Sequence, residues 1–129
     1  MKDTTTRKLG KLFEGEAKKF LEGKGMRCVD RNYVCYGGEI DLVLRDAAYW
    51  VFAEVKARKN SAYGTPAEFV GKTKQRNLIR AAQQYMLENG IGDDELCRFD
   101  IVEILYTPSA DGGAQDMRIH HIEDAFWRK

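Results

Sequence analysis

The sequence has no pair of cysteines spaced C-x-x-C, no apolar run near the length of a membrane span, and no basic-then-apolar leader at its start. Each absence closes off a class. Three cysteines, Cys28, Cys35 and Cys97, are an odd number without metal-knuckle spacing, which argues against a disulfide framework and a zinc site. They read instead as small apolar residues in strands. The short apolar runs argue against a membrane helix, and the missing leader suits a cytoplasmic protein. No internal repeat, low-complexity tract or linker divides the 129 residues, a length that suits one hydrophobic core. The expectation is a flexible polar tail over 1–8 and a single domain over 9–129.

What is present is a globular balance, 43% apolar and 32% charged. The formal net charge of +1 conceals segments of opposite sign. Residues 56–80 hold seven Lys/Arg and one Glu, whereas residues 81–129 hold four Lys/Arg and ten Asp/Glu. Arg58, Lys59, Lys72, Lys74 and Arg76 are therefore candidate phosphate contacts, although a solvated basic helix face accounts for them equally well.

Leu9, Leu12, Phe13, Ala17, Phe20 and Leu21 recur at helical spacing up to about Glu22, and Gly23 and Gly25 supply the stop. Residues 26–36 read as a strand, with Gly37 and Gly38 turning the chain into two further strands at about 39–45 and 49–57. Thr65, Pro66 and Glu68 have the form of an N-cap, first-turn proline and capping box. Alternatively those residues form an isolated turn, and the long helix begins nearer Gly71. Leu78, Ala81, Ala82, Tyr85 and Met86 make its apolar face, closed by Asn89 and Gly90. Strands are expected at 98–106 and 117–122 with a loop at 107–116, and "EDAFWRK" as a last helical turn. The order α-β-β-β-α-β-β is that of an α/β domain with a mixed sheet.

The stretch "GEIDLVLRDAAYWVFAEVKAR" (38–58) carries three charges inside an apolar hairpin. Strand alternation puts Asp41 on one face with Glu39 and Val43, and Glu54 on one face with Phe52 and Lys56. If the turn is Ala47-Ala48, Asp41 lies opposite Glu54 and Glu39 opposite Lys56. Two partly buried carboxylates side by side repel and need a cation. Lys56 could serve one of them. A bound Mg²⁺ could serve both, because it takes hard oxygen ligands and keeps water or phosphate in its remaining positions. Such an ion activates water and steadies the charge on a scissile phosphate, and a neighbouring lysine can hold either. A buried salt bridge among Asp41, Glu54 and Lys56 is the structural alternative.

Three weaker signals lead nowhere. "GKT" (71–73) lacks the glycine that a phosphate loop needs five positions earlier, where Pro66 stands. His120 and His121 are adjacent in a strand and so face opposite ways. Trp50 and Trp127 read as packing residues.

Asp41 followed by Glu54-Val55-Lys56 resembles the acidic-residue plus E-x-K signature of the restriction-endonuclease-like nuclease superfamily. The ordered set "GEIDLV", "VFAEVKAR", "YGTPAEFV…KTKQ…AAQQYM", "RFDIV" and "IHHIEDAF" looks more narrowly like the YraN-like family of small bacterial proteins, over roughly residues 12–127. The fold of that family is similar to archaeal Holliday junction resolvases. The resemblance implies a mixed sheet flanked by helices, Asp41 and Glu54 on Mg²⁺ or Mn²⁺, and Lys56 as the catalytic lysine. It adds Glu14 from the first helix, leaves Glu16 on the surface, and matches Gln75 to a recurring polar position on the later helix. The Val55 carbonyl is a further metal ligand in this scheme, and DNA, branched or single-stranded, is the expected substrate. A homodimer would let two such sites face two strands. The sequence departs from the family pattern at Phe13, where glycine is expected, at Ala53, where valine is usual, and in the 46–48 turn, which has no glycine. The competing expectations are a binding module of the same fold without catalysis, and a structural domain whose ion cluster only holds the sheet.

Overall fold

The computed structural model describes residues 4–60 and 71–126, with side chains from residue 7. It has two helices, α1 (Thr4–Gly23) and α2 (Lys72–Glu88), and five strands: β1 (Arg27–Cys35), β2 (Gly38–Asp46), β3 (Tyr49–Lys59), β4 (Cys97–Pro108) and β5 (Ala114–Phe126). The strands form one sheet in sequence order. Neighbours are antiparallel except β3 and β4, which are parallel because α2 intervenes and returns the chain to the same end.

Each face of the sheet has its own core. Phe13, Ala17 and Leu21 of α1 pack with Leu42, Leu44, Val51, Ala53, Val102 and Ile104. Leu78, Ala82, Tyr85 and Met86 of α2 pack with Ile40, Val43, Phe52, Phe99 and Ile101 on the other face. Aromatic contacts tie the second core together. Phe99 stacks on Phe126 at 5.2 Å, and Tyr85 meets Tyr33 edge-on at 5.1 Å.

The helix signals held with shifted ends. α1 begins at Thr4, inside the tail expected over 1–8, because the polar first turns carry no apolar period to announce them. It ends as expected, with Gly25 at φ +99° and the Met26 N–H donating to the Leu21 carbonyl. α2 starts at Lys72 after Gly71, the later of the two alternatives. The capping box at Thr65–Glu68 lies outside the described residues, as does Trp127.

The expected final helical turn is corrected over Glu123–Phe126, which continues β5. Tertiary contacts override the local preference. The Asp124 N–H donates to Asp100, Phe126 stacks on Phe99, and Asp124 takes φ +53° where the β4/β5 register shifts. His120 is exposed and the His121 side chain is 1% exposed, so the two do face apart. The three cysteines are half-buried and none forms a disulfide. Among the described residues no helix is long and apolar enough to cross a membrane.

The β2/β3 turn is Ala47-Ala48, with Asp46 paired to Tyr49. Ala47 has φ +53°, a conformation that two-residue hairpins need and that glycine or asparagine adopts at less cost. Ala47→Gly should therefore raise stability by about 1 kcal/mol, since left-handed backbone costs an L-residue about 1–2 kcal/mol. A thermal melt should show a gain of roughly 3–5 °C. A lower melting temperature would mean that the turn is not strained.

Candidate functional site

The site forms where β2 and β3 part. Their register runs from Asp46↔Tyr49 to Leu42↔Ala53, the alignment expected from the turn, and the regular ladder ends there. Ile40 and Val43 lie three residues apart yet both belong to the core under α2, while Leu42 belongs to the core under α1. Side-chain alternation has therefore slipped by one residue between them, at Asp41. Asn32, the β1 residue facing this slip, takes φ +52°. The direct cross-strand pairing expected for Asp41 with Glu54 and for Glu39 with Lys56 is accordingly replaced by another contact. Asp41 Oδ2 accepts the Val55 N–H at 2.8 Å and so fills the gap between the strands.

This brings Asp41 and Glu54 within hydrogen-bonding reach of each other. Burial, then the charge of Glu54, pushes the Asp41 carboxyl up to about 7, against the single bond from Val55 N–H. Glu54 is 7% exposed, and burial raises it too, opposed by Lys74. Lys74 Nζ lies 3.2 Å from Glu54 Oε2, and the charge of Glu54 raises its ammonium in turn. Burial lowers Lys56, helped by Arg58.

The other anticipated residues fall around this pair. The Glu14 charge reaches Asp41 from α1, and Glu14 Oε1 is buried without a hydrogen-bond partner among the described residues. Glu16 pairs with Lys19 one turn on, at 3.8 Å. Gln75 is half-buried in the first turn of α2, one position from Lys74. Lys72, Lys74 and Arg76 are exposed on the same turns, and Lys59 is exposed at the end of β3. Arg58 is turned toward Glu103 at 3.6 Å and is only 12% exposed. Among the described residues no three His, Cys, Asp or Glu side chains are placed to share one ion. A metal here would rest on two carboxylates, with backbone carbonyl, water or substrate oxygen completing its shell, a donor set that fits Mg²⁺. The pair of close, raised carboxylates, with the buried oxygen of Glu14 that has no partner among the described residues, suits such a cation.

Two features went unread in the sequence. Lys74, singled out only as a phosphate contact, is the cation on Glu54. Glu103, 1% exposed and directly opposite Lys56 in the parallel register, was not singled out at all. Its signal was there: "RFDIVEILY" has a charge at mid-strand, and its spacing from Phe99 and Ile101 sets it on the Lys56 face. Asp100 is charged in the same run but is a different case. It accepts bonds from His121 Nε2 (2.7 Å), Arg98 Nε (3.0 Å), Arg98 Nη2 (3.3 Å) and the Asp124 N–H (3.0 Å). Burial pushes its carboxyl up, but these donors outweigh burial and hold it below its ordinary range.

The fold and site define a mixed-sheet α/β domain with a carboxylate pair at a strand divergence. Comparison with known proteins gives the family: the model for "Uncharacterised protein family UPF0102" matches residues 13–104. A UPF0102 protein of Alkaliphilus oremlandii is 40% identical over 93% of this chain and 98% of its own length. One from Chlorobium chlorochromatii is 37% identical, covering 95% and 94%. The UPF0102 protein YraN of Escherichia coli (strain SMS-3-5 / SECEC) is 40% identical over 76% of each chain. The chain belongs to the UPF0102 family.

The raised carboxyl of Asp41 has a consequence for stability. Between its ordinary value of 3.8 and about 7, the folded protein holds a proton that the unfolded chain does not. That stabilising proton is fully bound below pH 3.8 and is lost as pH rises through about 7. In metal-free buffer the melting temperature should therefore fall from pH 5 to pH 8. Asp41→Asn keeps an oxygen for the Val55 N–H, should flatten this slope, and should melt above the parent at pH 8. An equal slope in the variant would contradict the assignment.

Proposed function

We propose that this protein is a Mg²⁺- or Mn²⁺-dependent nuclease of the restriction-endonuclease-like class, acting on DNA. The observation that carries the proposal is the pair Asp41 and Glu54, held together at a break in the sheet despite their mutual repulsion, with Lys56 two residues on along β3. A purely structural sheet gains nothing from such a pair, because replacing it by apolar side chains would remove both the burial cost and the repulsion. Asp41, Glu54 and the Val55 carbonyl would hold the metal. When bound, it would lower the pKa of a ligated water and neutralise charge on the scissile phosphate.

The chain's own residues have separable tasks. The Val55 N–H fixes the Asp41 carboxylate in position, so its second oxygen is set by the backbone rather than by a mobile side chain. Lys56, on the face of Glu54, holds the attacking water or a phosphate oxygen. As the water gives up a proton to solvent and its oxygen bonds to phosphorus, the bond from phosphorus to the ester oxygen breaks and that oxygen takes up a proton. Glu14 and Gln75 support the pair from α1 and from the first turn of α2. Lys74 neutralises Glu54 and, once released, lies with Lys72 and Arg76 along the path of the phosphate backbone.

The Lys74–Glu54 contact also suits a second reading, in which the same surface binds nucleic acid without cutting it and Lys74 permanently occupies the carboxylate. Incubation of purified protein with flapped, junction and single-stranded DNA in Mg²⁺, Mn²⁺ or EDTA separates the two. Nuclease action predicts metal-dependent cutting that falls by about 10²–10³ in each of Glu54→Gln, Asp41→Asn and Lys56→Met. Cutting that survives in Glu54→Gln would exclude this site as its source. Salt-sensitive binding with no cutting under any metal would favour the second reading.

A further inference from the structure

A cavity of about 410 Å³ opens beside Glu54, between the β1–β2 turn and the first half of α2. Gly37, Gly38 and Glu39 line it from the turn, and Lys74, Asn77 and Arg80 from the helix. It exists because of a close backbone approach. A Cβ on Gly38 would lie 2.2 Å from the Asn77 carbonyl oxygen, so only glycine lets the turn sit this near α2. Gly37, at φ +90°, lies under the Arg80 side chain, which an added Cβ would meet at 3.1 Å. Directly before these glycines stands Tyr36, the most exposed large apolar residue of the described chain, with Val34 70% exposed two residues earlier.

Tyr36 contributes nothing to the core from its fully exposed position, although burying a tyrosine is favourable. The cavity lies in the size range of small-ligand sites and mixes apolar wall with a few polar groups. Lys74 and Arg80 line it with the carboxylates Glu39 and Glu54, and Lys74 is engaged with Glu54, so Arg80, further along α2, is the cation that can meet a negative group. Its occupant should therefore be partly apolar, joined to a negative charge near Arg80, and linked to whatever group meets Glu54. A nucleobase next to a phosphate fits these three conditions. A base stacked inside a duplex does not, because it must first leave the stack to enter a pocket.

We propose that this cavity receives an unpaired nucleobase of a DNA strand whose backbone crosses the Asp41–Glu54 site, with Arg80 on the adjoining phosphate and Tyr36, the exposed chain neighbour of the lining residue Gly37, as a stacking platform for the next base. The proposal deepens the nuclease reading and rests on it for the placement of the strand. It assigns the substrate class as single-stranded or frayed DNA. Base stacking on exposed aromatics is the general means by which proteins hold single strands without reading sequence.

Equilibrium binding in EDTA tests the pocket without any cutting. The probes are a fluorescently labelled single strand, a blunt duplex of equal length, and a strand of abasic sites with the same phosphates. Parent protein should bind the single strand about tenfold more tightly than the abasic strand, as expected from one stacked base. Tyr36→Ala should weaken the single strand by about tenfold and change the abasic strand and the duplex by less than about twofold. Tyr36→Phe should bind as the parent does. Equal affinity for normal and abasic strands, an equal loss on all three probes in Tyr36→Ala, or no binding of the single strand would overturn the proposal. These outcomes are independent of the cleavage assay: loss of cutting in Glu54→Gln with unchanged binding leaves the pocket intact, and base-dependent binding by a protein that never cuts would refute only the catalytic reading.

Discussion

Two carboxylates brought together against their own repulsion organise this molecule. Asp41 is placed by a one-residue slip in β2 and anchored by the Val55 N–H. Glu54 is placed by strict alternation along β3 from Phe52, which is fully buried under α2. The carboxyl of Asp41 rises to about 7 because one hydrogen bond from a backbone N–H does not offset burial and a neighbouring negative charge. The surrounding strands and α2 hold that arrangement in place. The parallel β3–β4 pairing continues past the point where β2 leaves, so β3 stays rigid beyond its last contact with β2. α2 crosses the same face and supplies Lys74.

Asp100 provides the internal contrast. It is as deeply buried as any side chain in the sheet, yet two side chains and a backbone N–H surround it with donors, and its carboxyl is held down. The ring of His121 is fixed between Asp100 and Lys24, whose Nζ lies 2.9 Å from Nδ1. Every strong acceptor there is satisfied, as expected of an ion network that fastens an edge strand to the sheet. At Asp41 and Glu54 the same sheet leaves charge under-compensated, and buried groups in that condition mark candidate sites for chemistry. The two networks lie in one sheet and differ in donor count.

Much of this was legible in the sequence. The seven elements and the apolar face of α2 follow from periodicity, whereas the Ala47-Ala48 turn entered only as a condition, because alanine carries no turn signal, and its register holds only as far as Leu42 and Ala53. What alternation alone could not show was the slip at Asp41, because a bulge leaves the residue types unchanged and alters only which face they take. Lys74 was hidden for a related reason. Its partner is 20 positions away in sequence, and only the packing of α2 on the sheet brings them together. The end of β5 was misread because "EDAFWRK" has ordinary helical composition, whereas its conformation is decided by Phe99 and Asp100 on another strand. Glu103 was readable by the logic applied to Asp41, since a charge at mid-strand in an apolar run needs an explanation wherever it occurs.

If the Asp41–Glu54 pair takes a divalent cation, Lys74 holds that place only in the cation's absence. Crystals soaked in Mn²⁺ and measured at the manganese absorption edge test this most directly. An anomalous peak should appear between the two carboxylates, with the Lys74 ammonium displaced from Glu54. An empty pair with Lys74 still in contact, or a peak held by other side chains alone, would contradict it.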